Sequence, residues 1–275
     1  MNFSLKDKSV GFIGMGNMGQ AILRGLVTSE TVDPTKIFVH NRSQGKVQKV
    51  VGLYGCQSTS TAEDLVDKSD IVILATKPQD LLELLEPLRN AFNEDKVVIS
   101  LAAGIQLRTL KKYIPKANLV RVMPNTPIFI CKAVIGFCMS HSDLIVENLV
   151  KKLFSPLGHV VSLEEGDPFS AFTVASASGT GFVFELMHYW QDWILEHGIS
   201  EEEAKRITIE TFLGTALLAA SEEGLSIEQL TEKVASKKGV TAAGLQSMRE
   251  LELEGILRMS FNKAVMRDHE LGKNQ

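Results

Sequence analysis

The chain has 275 residues, of which 44% are hydrophobic and 23% are charged, and its formal net charge is -4. This length predicts two domains, and the ordinary globular composition excludes a disordered or fibrous chain. The lack of a broad positive charge argues against nucleic acid as a partner. No apolar run reaches the roughly 18 residues of a membrane span, and Met1–Lys8 lacks an apolar signal core. We therefore expect a cytoplasmic protein with no membrane partner.

Cysteine and histidine spacings point to neither a disulfide framework nor a metal site. Cys56, Cys131 and Cys138 are odd in number and lack CxxC spacing, which favours reduced, mostly buried thiols. The six histidines also lack the spacing of metal ligands. The sequence thus predicts no bound metal.

The first half of the chain alternates short apolar runs with helical patterns, which predicts βαβ units in a parallel sheet. The predicted strands are Val10–Ile13, Ile37–His40, Ile71–Ala75, Val97–Ser100, Leu119–Met123 and Ala133–Cys138, with a weaker strand near Cys56 and a last one near His159–Ser162. Runs such as Ile71–Ala75 are apolar throughout, as expected where helices cover both faces of a sheet. We predict an α/β domain over residues 1–164.

After about Glu164, strand-like runs disappear and long helical patterns continue to the C-terminus. A first helix is predicted from Pro168 to Glu196, ending at His197-Gly198, where glycine supplies the left-handed stop. Ser200–Glu203 and Ser226–Gln229 both have the form of a capping box at a helix start. These patterns predict an all-α domain over residues 165–275.

Gly14, Gly16 and Gly19 form a GxGxxG motif that follows a predicted strand and opens a predicted helix. In that setting the first glycine allows a tight turn, the second lets the backbone approach a pyrophosphate, and the third lets the helix pack on the strand. Phosphate would then lie on free amides at the positive end of the helix. The motif predicts a nicotinamide dinucleotide; FAD, another nucleotide or a purely structural turn are the alternatives.

The end of the second predicted strand lacks the acid that usually binds the ribose 2′-hydroxyl of NAD. The chain has Asn41, Arg42 and Ser43 there, with Lys46 nearby. The planar guanidinium of Arg42 suits a 2′-phosphate, which a carboxylate would repel. We predict NADPH as the cofactor, with NADH as the second choice. In the alternative interpretation, Arg42 and Lys46 are only a solvated helix start.

Turns rich in small residues and proline follow three later strands, at Ala75–Gln79, Ser100–Gly104 and Arg121–Pro127. Ligands of open α/β sheets bind at the carboxyl ends of strands, and small side chains let a nicotinamide ring lie against the backbone. Lys77 is either catalytic or a binding or solvent-exposed group, the commoner role for a lone lysine. The predicted cofactor-binding residues are Ile13, Gly14, Met15, Gly16, Asn17, Met18, Gly19, Asn41, Arg42, Ser43, Ala75, Thr76, Lys77, Pro78, Ala102, Ala103 and Gly104.

Together these segments resemble the pyrroline-5-carboxylate reductase family along nearly the whole chain. The resemblance rests on residues 11–19, Lys77–Gln79, Ser100–Ile105 and Arg121–Pro127, which stand in the family's order and spacing. It implies a Rossmann-type dinucleotide-binding domain followed by an all-α dimerisation domain, with the active site between them. It also implies a homodimer or a larger homo-oligomer such as a decamer, and the NAD(P)H-dependent reduction of a cyclic imine acid, 1-pyrroline-5-carboxylate, to proline.

The resemblance also assigns substrate-binding residues in the second domain. The family's Ser-Pro-Gly-Gly-x-Thr segment, which holds the substrate carboxylate, corresponds to residues 236–241. By this resemblance, Thr241 is the catalytic residue and hydrogen-bonds the imine nitrogen, while Ser236 and the amides of Gly239 and Val240 hold the carboxylate. The alternative for Thr241 is an ordinary helix cap.

The chain departs from the family pattern at several positions. Lys237 and Lys238 replace Pro and Gly of the substrate segment, and their charge would still attract a carboxylate. The other departures are Ala177, Thr180 and Phe182, where the family usually has Gly, Pro and Tyr, and Ser170, where it has Asp.

Three further interpretations stay open beside the main one. A related imine acid, such as a six-membered ring, is an alternative substrate. A β-hydroxyacid dehydrogenase-like enzyme would carry a catalytic lysine in a Gly-rich helix of the second domain, and we find no such segment. A reductase-like protein that binds the dinucleotide for regulation would lack turnover. Imine reduction itself needs a positioned hydride donor and a stabilised protonated nitrogen rather than a triad or a metal.

Overall fold

The computed structural model describes residues 5–273, so part of the segment expected to lack a signal core lies outside the described residues. The structure divides into two compact units. The first unit contains the chain up to Ser178 together with the segment that begins at Ala264, and the second is Gly179–Lys263. The domain boundary predicted at residue 164 follows the last strand, whereas the units divide after Ser178; the predicted boundary stays a prediction.

The first unit contains an eight-stranded sheet with the strand order β3-β2-β1-β4-β5-β6-β7-β8. Its strands are β1 Val10–Ile13, β2 Ile37–His40, β3 Gln57–Ser58, β4 Ile71–Leu74, β5 Val97–Ser100, β6 Asn118–Pro124, β7 Ala133–Met139 and β8 Gly158–Ser162. Every strand predicted from the sequence is present, and the α/β fold class is confirmed. The weak strand expected near Cys56 is the short edge strand β3.

The sheet departs from the all-parallel prediction at one place, because β7 runs antiparallel to β6. Only residues 125–132 connect these two strands, and a parallel pair needs a crossover of a dozen residues or more. A 3-10 turn at Thr126–Ile130 makes the connection, and the Asn125 side-chain oxygen accepts the N–H of Val134 at 2.9 Å. The chain therefore turns back on itself before β7.

Helices cover both faces of the sheet. In the first unit they are α1 Asn17–Thr28, α2 Gln44–Tyr54, α3 Ala62–Lys68, α4 Pro78–Leu88, α5 Leu107–Tyr113, α6 Leu144–Phe154 and α7 Asp167–Phe172. Along β4, Ile71 and Ile73 pack into one hydrophobic core while Val72 and Leu74 pack into the other. This alternation explains why the strand is apolar at every position.

The long helix predicted from Pro168 to Glu196 is interrupted. Helix α7 passes into a π-helical segment at Thr173–Ser178, and α8 then runs from Gly179 to Glu196. Within this segment the Ser176 hydroxyl donates to the carbonyl of Val134 in β7 at 3.3 Å. π-helical turns of this kind occur often near functional sites.

The remaining helices are α9 Glu201–Ser221, α10 Ile227–Val234, α11 Val240–Glu250 and α12 Leu253–Lys273. The predicted capping box at Ser226 and Gln229 forms both of its hydrogen bonds. At the start of α9, the Ser200 hydroxyl accepts the N–H of Glu203 at 3.4 Å. Within residues 5–273, none of the helices combines the length and the apolar character needed to cross a membrane.

Candidate functional site

A cleft of about 560 Å³ opens where the strand order of the sheet reverses. Strand β1 lies between β2 and β4, and the chain builds the sheet outward in opposite directions from these two strands. Open α/β sheets bind ligands at this switch point. We call this the switch-point cleft; it is lined by Ile13, Gly14, Gly16, His40, Asn41, Arg42, Ser43, Lys46, Ala75, Thr76, Lys77, Asp80, Glu83 and Leu84.

The three glycines of the motif each occupy a different kind of position. Gly14 has a φ of +103°, and a Cβ there would lie 2.7 Å from the carbonyl group of Ala75. A Cβ on Gly19 would lie 2.7 Å from the carbonyl oxygen of Gly14, so the close approach of α1 to the loop needs glycine. A Cβ on Gly16 would meet nothing within 4 Å. The open space beside Gly16 fits the predicted approach of a pyrophosphate.

The side chain of Asn41 links the loop of Gly14–Gly16 to the segment that follows β2. Its side-chain oxygen accepts the N–H of Met15 at 3.0 Å, and its amide nitrogen donates to the carbonyl of Ser43 at 3.2 Å. The Met15 side chain is buried in the core. The Met15 amide is thus held by Asn41, and both residues support the shape of the loop.

Positive charge lines one wall of the cleft. Arg42 and Lys46 are exposed, and Ser43 is the N-cap of α2 with its hydroxyl not used to cap the helix. Within residues 5–273, neither Arg42 nor Lys46 lies within 4.0 Å of a carboxylate oxygen. The two cations therefore face the cleft without an internal counter-ion.

Helix α4 forms the opposite wall and brings in residues that the sequence analysis missed. Asp80, Glu83 and Leu84 line the cleft, while Leu81 and Leu85 on the other face of the helix are buried. Glu83 and Leu84 lie three and four residues after Asp80, which puts the three on one helix face, and this spacing is the signal that would have found them. His40, whose ring faces the carbonyl of Thr59 at 3.3 Å, was also missed.

The Thr76 hydroxyl supplies an independent sign that the cleft receives a ligand. Its oxygen is buried and has no hydrogen-bond partner among the described residues. A buried hydroxyl without a partner is costly, and most such groups in proteins are satisfied. A polar ligand in the cleft would relieve this cost, which fits the phosphates and riboses of a dinucleotide.

The structure does not gather all predicted cofactor residues into the cleft lining. Asn17 and Met18 lie in the first turn of α1, and Pro78 is the first residue of α4. Ala102–Gly104 follow β5, one strand further along the sheet than β4. Their contacts with a cofactor stay predictions.

The predicted substrate residues come together in the second unit, at the turn between α10 and α11. The Gly239 N–H donates to the carbonyl of Ser236 at 2.9 Å, and a Cβ on Gly239 would lie 2.3 Å from the Ser236 hydroxyl oxygen. Val240 and Thr241 are exposed in the first turn of α11. Lys238 has a φ of +61°, so it adopts the left-handed conformation that glycine favours.

The buried Cys56 and Cys138 are not activated nucleophiles. Burial, with a smaller effect of Glu165, outweighs the nearby Arg121 charge and raises the pKa of the Cys138 thiol to about 12. Burial also raises the pKa of Cys56. All three cysteines are free thiols. Across residues 5–273, no three His, Cys, Asp or Glu side chains are grouped so that they could hold a metal ion.

Comparison with curated proteins shows full-length relatives. The chain is 31% identical to a pyrroline-5-carboxylate reductase of Arabidopsis thaliana over 96% of both chains, and 30% identical to that of Methanosarcina acetivorans over 98% of this chain and all of the relative. The chain belongs to the pyrroline-5-carboxylate reductase family. The family model for pyrroline-5-carboxylate reductase dimerisation matches residues 167–271. A second model, described as NADP oxidoreductase, coenzyme F420-dependent, matches residues 9–104.

Solved structures of pyrroline-5-carboxylate reductases share this fold. The enzyme of Coxiella burnetii is 30% identical and superposes with a TM-score of 0.90, covering 96% of this chain and 98% of its own. The Plasmodium falciparum enzyme, solved with NADP bound, is 22% identical, with a TM-score of 0.84 over 97% of this chain and 99% of its own. The Rossmann-type unit and the helical dimerisation region predicted from the sequence are therefore confirmed.

Proposed function

We propose that the protein is an oxidoreductase acting on a CH–NH bond, which reduces 1-pyrroline-5-carboxylate to proline with NAD(P)H and so serves proline biosynthesis. The observation that carries this proposal is the switch-point cleft, where a glycine loop meets a buried hydroxyl without a hydrogen-bond partner and two cations without a counter-ion among the described residues. The chain also matches a relative over the whole length of that relative. The identity of the substrate is inferred from the names of the relatives, which are pyrroline-5-carboxylate reductases.

The cleft supports a dinucleotide, and its charges support NADPH over NADH. The residue types at the end of β2 are His40, Asn41 and Arg42, so no carboxylate of that strand faces a 2′-phosphate. Arg42 and Lys46 would bind that phosphate, with the guanidinium of Arg42 able to form two parallel hydrogen bonds. When bound, the dinucleotide supplies the hydride for reduction.

The second unit supplies the groups for the substrate. By the family pattern, the Thr241 hydroxyl hydrogen-bonds the imine nitrogen, and the Ser236 hydroxyl with the amides of Gly239 and Val240 holds the carboxylate. Amides at the start of α11 favour an anion, and Lys237 and Lys238 add positive charge beside them. The chemistry then depends on orientation and electrostatic stabilisation by these groups.

A second copy of the chain would complete the helical unit. Among the described residues of this unit, only Ile194, Ala204 and Thr208 are buried. The large hydrophobic side chains of α8 and α9 that are more than half exposed are Phe184, Tyr189, Trp193, Leu217 and Leu218. Exposed apolar surface on this scale marks an interaction site. We propose a homodimer through this unit, assembling further into a ring such as a decamer.

We also propose that the protein works in the cytoplasm. Its three cysteines are free thiols, which is the form favoured in a reducing compartment. Fractionation of source cells with antibodies against the protein tests this location, and light scattering after size-exclusion chromatography tests the oligomer size.

The experiment for the proposed function is a steady-state screen of cyclic imine acids with NADPH and NADH side by side. We expect NADPH to be oxidised when pyrroline-5-carboxylate is present. The screen includes imine acids with five-membered and six-membered rings, so that their rates are compared directly. Thr241→Ala should lower kcat by about 100-fold while leaving the Kd for NADPH unchanged, with Thr241→Ser retaining most activity. Absence of turnover with every acid and both cofactors would overturn the proposal. Tight NADPH binding without turnover would instead favour the regulatory interpretation.

A further inference from the structure

Helix α4 presents two carboxylates to the switch-point cleft. Asp80, Glu83 and Leu84 stand three and four residues apart, so they share the face of the helix that lines the cleft. Leu81 and Leu85 anchor the opposite face in the core. The position of these carboxylates is therefore set by the packing of the helix.

Among the described residues, the carboxylates of Asp80 and Glu83 form neither ion pairs nor side-chain hydrogen bonds. Arg42 and Lys46 line the same cleft, yet within residues 5–273 no ion pair forms between the two walls. The described residues also place no side-chain hydrogen bond on Asp80 or Glu83. Acceptor oxygens on one wall and donors on the other are thus both available to a ligand.

The two walls suit different parts of a dinucleotide. Phosphate groups belong beside the glycine loop and beside Arg42 and Lys46, because carboxylates on α4 would repel them. The part of the ligand that faces α4 must be uncharged and must offer a donor to an acceptor. Adenine satisfies both conditions through its exocyclic amino group, and its ring offers an apolar face to Leu84.

We infer that Glu83 accepts a hydrogen bond from the adenine amino group and so makes the cleft selective for the adenine base. Asp80 lies in the first turn of α4, where free amides of the helix attract its carboxylate. Glu83 lies one turn further along and has no such competing contact. This inference rests on the proposed dinucleotide function.

The test compares NADPH with its hypoxanthine analogue, in which an oxygen replaces the adenine amino group. That oxygen is an acceptor and would face the Glu83 carboxylate, so the site should reject it. We expect the wild-type protein to bind the analogue about tenfold or more weakly than NADPH, as measured by the Kd from isothermal titration calorimetry.

Three variants test which residue of α4 is responsible for the difference in Kd between NADPH and its analogue. Glu83→Gln keeps the size of the side chain but can donate as well as accept, so it should bring the two Kd values within about twofold of each other. Glu86→Gln is the matched control, because Glu86 is exposed on the same helix and does not line the cleft. It should retain the wild-type ratio, as should Asp80→Asn.

The outcomes separate this inference from the proposed function. Equal binding of both nucleotides by the wild-type protein would overturn the inference alone, since NADPH binding would persist. Loss of selectivity in Asp80→Asn with none in Glu83→Gln would also overturn it. Failure of the wild-type protein to bind either nucleotide would overturn both the inference and the proposed function.

Discussion

Arg121 in β6 and Glu165, in the segment after β8, form an ion pair in which Nη1 and Oε1 lie 2.8 Å apart. The same Oε1 accepts the N–H of Leu107, the first residue of α5, at 2.8 Å. The guanidinium carbon of Arg121 lies 4.6 Å from the centre of the Phe169 ring in α7. One carboxylate therefore joins the sheet, α5 and the approach to α7.

Removing this carboxylate should destabilise the protein. The Arg121 side chain is only 7% exposed, so Glu165→Ala leaves a nearly buried cation without its partner and the Leu107 amide without its acceptor. We expect a loss of about 2 kcal/mol in the free energy of unfolding, below the cost for a fully buried pair because Glu165 is 28% exposed. Urea unfolding measures it. Glu164→Ala, at the exposed neighbouring position, should change stability by less than about 0.5 kcal/mol; equal effects would contradict this role.

Arg42→Ala should weaken NADPH binding and spare NADH. The guanidinium contributes only where a 2′-phosphate is present, so the Kd for NADPH should rise about tenfold or more while that for NADH changes little. Titration calorimetry at two salt concentrations gives both values. Lys49→Ala removes a positive charge from the same helix outside the cleft lining and should leave the ratio unchanged. An equal rise in the Kd values for NADPH and NADH would show that Arg42 does not bind the 2′-phosphate.

Asp70 should make the free energy of unfolding depend on pH under acidic conditions. Burial alone would raise its pKa, but hydrogen bonds from the Ser9 N–H and hydroxyl, and from Lys8, outweigh burial and hold the pKa of Asp70 below its ordinary value. Because the folded pKa is lowered, the stabilisation is fully present above the unfolded value of about 3.9 and is lost as pH falls through the folded pKa.

The corresponding variant is Asp70→Asn. At pH 7 it should cost about 1 kcal/mol of unfolding free energy, and the difference from the wild-type protein should shrink below about pH 4. Urea unfolding between pH 7 and pH 3.5 follows the difference. Asp67→Asn, at a nearby exposed position, should show neither effect. A difference that stays constant with pH would contradict the prediction.

Lys238→Gly should stabilise the substrate turn. Lys238 has a φ of +61°, which costs an ordinary residue roughly 1–2 kcal/mol and glycine almost nothing. Part of the gain is offset by the greater entropy of glycine in the unfolded chain, so we expect a net gain of about 0.5 kcal/mol. Lys237→Gly has no positive φ to relieve and should be destabilising. Urea midpoints for the two variants distinguish them, and equal losses would argue against strain at Lys238.

Local patterns were sufficient for most elements of this fold, although they did not predict the π-helical interruption at Thr173–Ser178. The strands follow from short apolar runs, and the turn at Gly14 follows from a motif whose glycine has to adopt a positive φ. The box at Ser226 and Gln229 follows from side chains that reach amides three residues away. Each of these features depends on atoms close together in the chain, so the residue types alone predict them.

Long-range packing decided the remainder. The reversal of β7 depends on the short connection through Asn125, and the Met15 amide is held by Asn41, which follows β2. Asp80 and Glu83 face Arg42 across the cleft only because β1 lies between β2 and β4. By itself, the sequence determined that a glycine loop follows a strand and that Arg42 stands where an acid is usual. The tertiary structure decided which side chains surround that loop, because strand pairing brings together residues that are far apart in the chain.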